Sequence, residues 1–133
     1  MQVDLLNKNK AVYTLVRMMR SENKSFLFTG YANGRKSAFI KELRTYFPSR
    51  VTLNATSVPT SLPETVRLII VENVSDIKTL NQWLKLQAEG IPADLDPNRI
   101  IYPYLVIAFT ISKDKFKTLK LELINSIEII DLN

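Results

Sequence analysis

The chain predicts a three-layer α/β sandwich, with a mostly parallel sheet of about five strands between helices. Three observations carry that expectation. Short apolar runs fit for buried strands alternate with segments whose apolar residues recur every three or four positions. Two of those runs, over 66–72 and 104–110, are almost continuously apolar, as strands covered on both faces of a parallel sheet are. Finally, 133 residues of which 46% are hydrophobic suffice for one buried core and not for two. The chain therefore reads as one domain over 1–133, with an amphipathic helix and linker in 1–24 and the sheet core in 25–133. It shows no internal repeat and no low-complexity tract.

The elements follow in order. Val12, Leu15, Val16 and Met19 recur at helical spacing among lysines and arginines, which predicts a helix over Lys8 to Arg20. Ser25-Phe26-Leu27-Phe28-Thr29 reads as a buried strand ended by Gly30. Phe39, Ile40, Leu43, Tyr46 and Phe47 then line a helix that begins near Lys36 and stops before Pro48. A weaker strand follows at Val51 to Ala55, and Pro59 and Pro63 among serines and threonines make Ser57 to Glu64 a loop. Val66 to Glu72 is the next strand. Ser75-Asp76 can cap a helix with Ile77, Leu80, Trp83 and Leu84 inward, closed by Gly90-Ile91-Pro92. The polar stretch from Asp94 to Pro103 leads into the strand Tyr104 to Thr110. A last helix after Ser112 turns Phe116, Leu119 and Leu123 inward and Lys113, Lys115, Lys117 and Lys120 outward, before a terminal strand at Ile127 to Leu132.

Composition excludes several chemistries. There is no cysteine and no histidine, so thiol catalysis, disulfides, imidazole metal sites and a serine-histidine triad are ruled out. No apolar stretch reaches the roughly 18 to 20 residues that cross a bilayer, and the start Met1-Gln2-Val3-Asp4 lacks a secretory pattern. The expectation is a soluble, cytoplasmic protein with no membrane partner. A net charge of +5 favours an anionic partner, although a basic surface by itself serves solubility equally well.

In parallel sheets ligands bind outside the carboxyl ends of the strands, which directs attention to the residues after Thr29, Val71 and Phe109. After the first comes Gly30-Tyr31-Ala32-Asn33-Gly34-Arg35-Lys36-Ser37, to be compared with the phosphate-binding pattern G-x-x-x-x-G-K-[ST]. Such a loop turns backbone N–H groups around phosphates at a helix N-terminus, with a lysine for the β and γ charges and a hydroxyl for Mg²⁺. Gly30, Lys36 and Ser37 fall at the right distances. Arg35 stands where the second glycine belongs, and Gly34 one place earlier. The bland alternative is a strand-to-helix turn that binds nothing.

Leu68-Ile69-Ile70-Val71-Glu72 has the form of an apolar strand ending in an acid, the Walker B arrangement, in which the carboxylate holds Mg²⁺. Asn73 follows where a second acid polarises the attacking water in many ATPases. An amide accepts no proton as a base, so Arg35 and Asn73 together argue for nucleotide binding with weak hydrolysis or none.

These residues bring a family into view. Phe26-Leu27-Phe28-Thr29-Gly30, with Asn33-Gly34-Arg35-Lys36-Ser37-Ala38-Phe39, resembles the strand, "NGKS" loop and helix of superfamily 3 helicases of viruses, phages and plasmids. It is similar also to the broader AAA+ ATPase core. Leu68 to Glu72 looks like their Walker B strand. Leu84-Lys85-Leu86 followed by Gly90 resembles the helix end before their DNA-contacting hairpin. The resemblance implies a hairpin at about Ile91 to Pro103, with Arg99 its best phosphate contact. It also implies a sensor strand at Leu105 to Thr110, with Thr110 in place of the usual asparagine as the γ-phosphate sensor. No arginine occurs after Arg99 to act as a finger, and a chain ending at its last strand leaves no room for a helical lid.

The resulting expectation is a P-loop domain binding ATP and Mg²⁺ in viral, phage or plasmid DNA replication. Gly30, Asn33, Gly34, Arg35, Lys36 and Ser37 hold the nucleotide, Ser37 and Glu72 hold the metal, and Glu72, Asn73 and Thr110 are the candidates for chemistry. Its partners are DNA and a replication protein or further copies of itself. The competing reading is a non-catalytic adaptor that keeps the fold as a scaffold. Arg99, Lys113, Lys117 and Lys120 are candidate DNA contacts, and the lysines serve equally as a solvated helix face. Tyr102 and Tyr104 either stack on a base or pack at a strand entrance, Trp83 reads as core, and Asp94 and Asp96 as a solvated loop.

Overall fold

A computed structural model describes residues 8–22, 24–29, 33–109 and 127–131. The chain opens with α1 (Lys8–Glu22), β1 (Ser25–Thr29) and α2 (Asn33–Tyr46). A 3-10 turn (Ser49–Val51), β2 (Thr52–Ala55), β3 (Leu68–Val74) and α3 (Ile77–Glu89) follow. The two-residue strands β4 (Ile91–Pro92) and β5 (Ile100–Ile101) precede β6 (Tyr104–Phe109) and β7 (Ile127–Asp131).

Five strands form one sheet in the order β2-β3-β6-β1-β7, and every neighbouring pair is parallel. Alternation along the strands divides the core between two faces. On one, Phe26, Phe28, Leu68, Ile70 and Val106 meet Leu15, Val16 and Met19 of α1 and Phe39, Ile40 and Leu43 of α2. On the other, Leu27, Ile69, Val71, Leu105 and Ile107 meet Leu80, Trp83 and Leu84 of α3. Full burial of one such side chain stabilises the fold by about 1.5–3 kcal/mol relative to exposure. Covering both faces of β1, β3 and β6 is what their near-continuous apolar sequence is for. The expected three-layer α/β sandwich is therefore present.

The buried hydroxyls of β1 are matched. Ser25 and Thr29 of β1 are fully buried; the Ser25 Oγ accepts from the Leu105 N–H at 2.6 Å, and the Thr29 hydroxyl donates to the Ile130 carbonyl at 3.4 Å. Both bonds tie β1 to its two neighbours, β6 and β7.

Several boundaries differ from expectation. α2 begins at Asn33 rather than near Lys36, because apolar periodicity becomes visible only at Phe39 while three residues suffice for a βα connection. The edge strand begins at Thr52, after the 3-10 turn. β3 runs on past Glu72 to Val74. In α3, Leu86 is buried and Ile77 only half-buried. The hairpin implied at Ile91 to Pro103 is formed by antiparallel β4 and β5, with Ile91 opposite Ile101. The helix expected after Ser112, with Lys113, Lys117 and Lys120, lies outside the described residues, as do Gly30 and Thr110.

From β1 the chain passes over β6 and β3 to reach β2 at the far edge; from β6 it passes over β1 to reach β7. Adjacent strands β1 and β6 are thus left in opposite directions, which defines the topological switch point at their carboxyl ends.

Candidate functional site

Two features occupy the carboxyl end of the sheet. The first is the β1–α2 turn at the switch point. Phe39 packs on Phe28 with ring centroids 5.7 Å apart, which holds the first half of α2 against β1. Asn33, Gly34, Arg35, Lys36 and Ser37 therefore belong to the opening turns of α2, where unpaired backbone N–H groups and the helix dipole favour an anion. Ser37 is exposed.

The second feature is a cleft of about 350 Å³ at the ends of β2 and β3, lined by Arg44, Asn54, Thr56, Ile70, Glu72 and Asn73, with Ala55 beside them. Glu72 and Asn73 come together here because β3 carries a bulge. Val71 pairs with Ile107 but Val74 with Phe109, so β3 spends one residue more than β6 over this span. Asn73 absorbs the irregularity at φ 61°, a left-handed conformation asparagine adopts more readily than most residues. Alternation is broken, and both Glu72 and Asn73 face solvent while Val74 returns to the core. The acid thus sits at a bulge inside the strand and not at its end.

Glu72 is not left alone. The Arg44 Nη2 lies 3.7 Å from the Glu72 Oε1 and donates a 2.8 Å hydrogen bond to the Asn54 Oδ1. Arg44 and Asn54 escaped the sequence reading. Arg44 was one of several charges on the outer side of a helix, and only the parallel register of β2 on β3 brings Asn54 opposite Ile70 and so near Glu72. One guanidinium, one carboxylate, two carboxamides and a hydroxyl equip the cleft to hydrogen-bond a polar ligand.

Among the described residues no group of three or more acids is placed to hold a metal. Mg²⁺ in phosphate sites takes only one or two protein oxygens, the rest coming from phosphates and water. Glu72 and the Ser37 hydroxyl do not form a cage built by protein alone. No hydrogen bond or ion pair joins Ser37 to Glu72 among the described residues.

Arg99 is placed elsewhere. It belongs to the β4–β5 hairpin, where its Nη1 pairs with the Glu64 Oε2 at 3.1 Å, and the intervening loop exposes Leu95 between Asp94 and Asp96. The Ser61 hydroxyl donates to Asp94, and the Leu62 N–H donates to the Pro92 carbonyl at 3.0 Å. A tip bearing two carboxylates repels phosphate, which weakens the case for Arg99 as a DNA contact. Tyr102 is exposed, Tyr104 packs on Phe47 at 6.4 Å, and Trp83 is fully buried core. Among the described residues no helix is long and apolar enough to cross a membrane.

No family model, no curated protein and no solved structure matches this chain.

Proposed function

We propose that this is a nucleotide-binding domain of P-loop type, similar to the AAA+ and superfamily 3 helicase core, acting in DNA replication of a virus, phage or plasmid. The observation that supports it most is positional: Asn33 to Ser37 open α2, the helix that follows β1 at the topological switch point, where α/β sheets bind ligands. β6, which resembles the family's sensor strand, lies between β1 and the acid-bearing β3. In this reading Lys36 neutralises the β and γ phosphates, and Ser37 and Glu72 take the Mg²⁺ that accompanies them. Bound ATP·Mg²⁺ supplies the triphosphate and the metal charge; Asn73 can orient a water but takes no proton from it, so hydrolysis is slow or absent.

One observation favours the scaffold reading. With α2 starting at Asn33, only three residues separate it from β1, a short span in which to wrap phosphates. The deciding measurement is calorimetric titration of ATP·Mg²⁺ at low salt into the protein and its Lys36→Ala variant. Micromolar binding that vanishes in the variant supports the nucleotide reading. Absence of heat in both leaves an adaptor that uses the fold to bind DNA or a replication protein.

A further inference from the structure

The outer side of α1 carries aromatic and guanidinium groups in alternation. Tyr13, Arg17 and Arg20 follow at spacings of four and three, which sets them on one side of the helix over about 10 Å. Tyr13 keeps 51% of its surface open to solvent, and both arginines are exposed.

Each guanidinium lies against a ring. The Arg17 Cζ is 5.9 Å from the centroid of Tyr13, and the Arg20 Cζ is 5.0 Å from that of Phe47. Tyr13 tilts against Tyr46, with centroids 6.3 Å apart, and the Arg20 Nη2 donates to the Tyr46 carbonyl at 3.3 Å. The last turn of α2 therefore braces the foot of the stripe. Unlike Arg44 and Arg99, which face carboxylates, Arg17 and Arg20 form no ion pair among the described residues. Their charge is oriented by aromatic platforms, and no acid of the described protein neutralises it.

A ring with an open surface, interleaved with oriented guanidiniums that pair with no acid among the described residues, is the chemistry that recognises an unpaired strand. Bases stack on the ring and phosphates meet the arginines, whereas a duplex hides its base faces. An anionic membrane is a poorer fit, because α1 has already committed its apolar face to the core through Leu15, Val16 and Met19. We propose that this side of α1, together with the end of α2, binds single-stranded nucleic acid, Tyr13 stacking on a base and Arg17 and Arg20 holding the flanking phosphates. The surface reads base face and phosphate and ignores the sugar. It is independent of nucleotide binding at the β1–α2 turn.

The test is fluorescence anisotropy with a labelled oligothymidylate of about 20 nucleotides, a duplex of equal length and oligouridylate, across roughly 50 to 200 mM salt. The full chain is compared with Tyr13→Ala, Tyr13→Phe, Arg17→Ala and, on α3, Lys78→Ala, each first shown by circular dichroism to fold. The single strand should bind several-fold more tightly than the duplex, with thymidylate and uridylate alike. Tyr13→Ala should weaken it by about five-fold or more at unchanged salt slope, while Tyr13→Phe and Lys78→Ala match the parent. Arg17→Ala should weaken binding and lower the slope by about 0.7. The proposal is overturned if no single strand binds at the lowest salt, if duplex, phosphatidylserine vesicles or polyglutamate bind as well, or if Tyr13→Ala and Arg17→Ala both bind like the parent. Should Tyr13→Ala fail to fold, the Arg17→Ala slope and the duplex comparison decide.

Discussion

The Arg44 guanidinium of α2 stands 3.7 Å from the Glu72 carboxylate of β3, with both side chains about half exposed. An ion pair so placed contributes between nothing and about 1 kcal/mol. Arg44→Ala should therefore shift the urea midpoint by no more than that equivalent. A cation approaching Glu72 must compete with Arg44, so under the nucleotide reading the same variant should bind ATP·Mg²⁺ a few-fold more tightly. A calorimetric affinity that falls instead would place Arg44 on the ligand.

Trp83 is completely buried in α3, and its indole N–H has no hydrogen-bond partner among the described residues. Trp83→Ala should cost about 3–5 kcal/mol through the cavity it leaves. Trp83→Phe should cost far less, because it also removes a buried donor whose lack of a partner is itself destabilising by about 1–3 kcal/mol. Denaturant unfolding followed by circular dichroism distinguishes the two. Equal losses would mean that the N–H is satisfied in solution.

Gly90 ends α3 at φ 77°, and a Cβ there would run into the Ile100 side chain and lie 2.9 Å from the Tyr102 ring. Gly90→Ala combines a left-handed backbone penalty with that collision. A loss of about 2 kcal/mol or more is expected, with the β4–β5 pairing loosened first. Amide hydrogen exchange at Ile91 and Ile101 reports it; unchanged protection there would remove the hairpin from the explanation.

Asp76 caps α3, accepting from the Thr79 N–H at 2.7 Å and from the Thr79 hydroxyl at 2.9 Å. The backbone bond from Thr79, then that from its hydroxyl, holds the Asp76 carboxyl below its ordinary value of 3.8. A carboxyl depressed on folding contributes stability that is present above its unfolded value and is lost as pH falls through the folded one. Thermal melts should show this part of the stability declining below about pH 4. Asp76→Asn should keep most of the cap at neutral pH yet flatten that acid limb. A variant whose acid limb matches the parent's would assign the decline to other carboxylates.

The fold was legible where burial is two-sided or periodic: Ile69-Ile70-Val71 and Val106-Ile107-Ala108 announce central strands, and Leu80, Trp83 and Leu84 a helix face. The cap at Asp76 was equally local. What the sequence left unsaid depends on distant pairing. The bulge at Glu72 and Asn73 exists because Val74 must meet Phe109, and no local pattern encodes that register. Strands as short as Ile91–Pro92 and Ile100–Ile101 have no period to detect. Half of the candidate site was visible as motif, the Lys36-Ser37 turn and Glu72. Arg44 and Asn54 join it through packing alone.

β1 precedes both of its sheet partners in the chain. Ser25 bonds to a residue 80 positions downstream and Thr29 to one 101 positions downstream, so β1 is flanked on both sides only once β6 and β7 are both in place. Until β6 docks, Phe26, Leu27 and Phe28 are an apolar segment with no strand on either side; β6 then covers one edge and β7, later in the chain, the other. Such non-local closure is slow, which makes the first strand the natural handle for a chaperone.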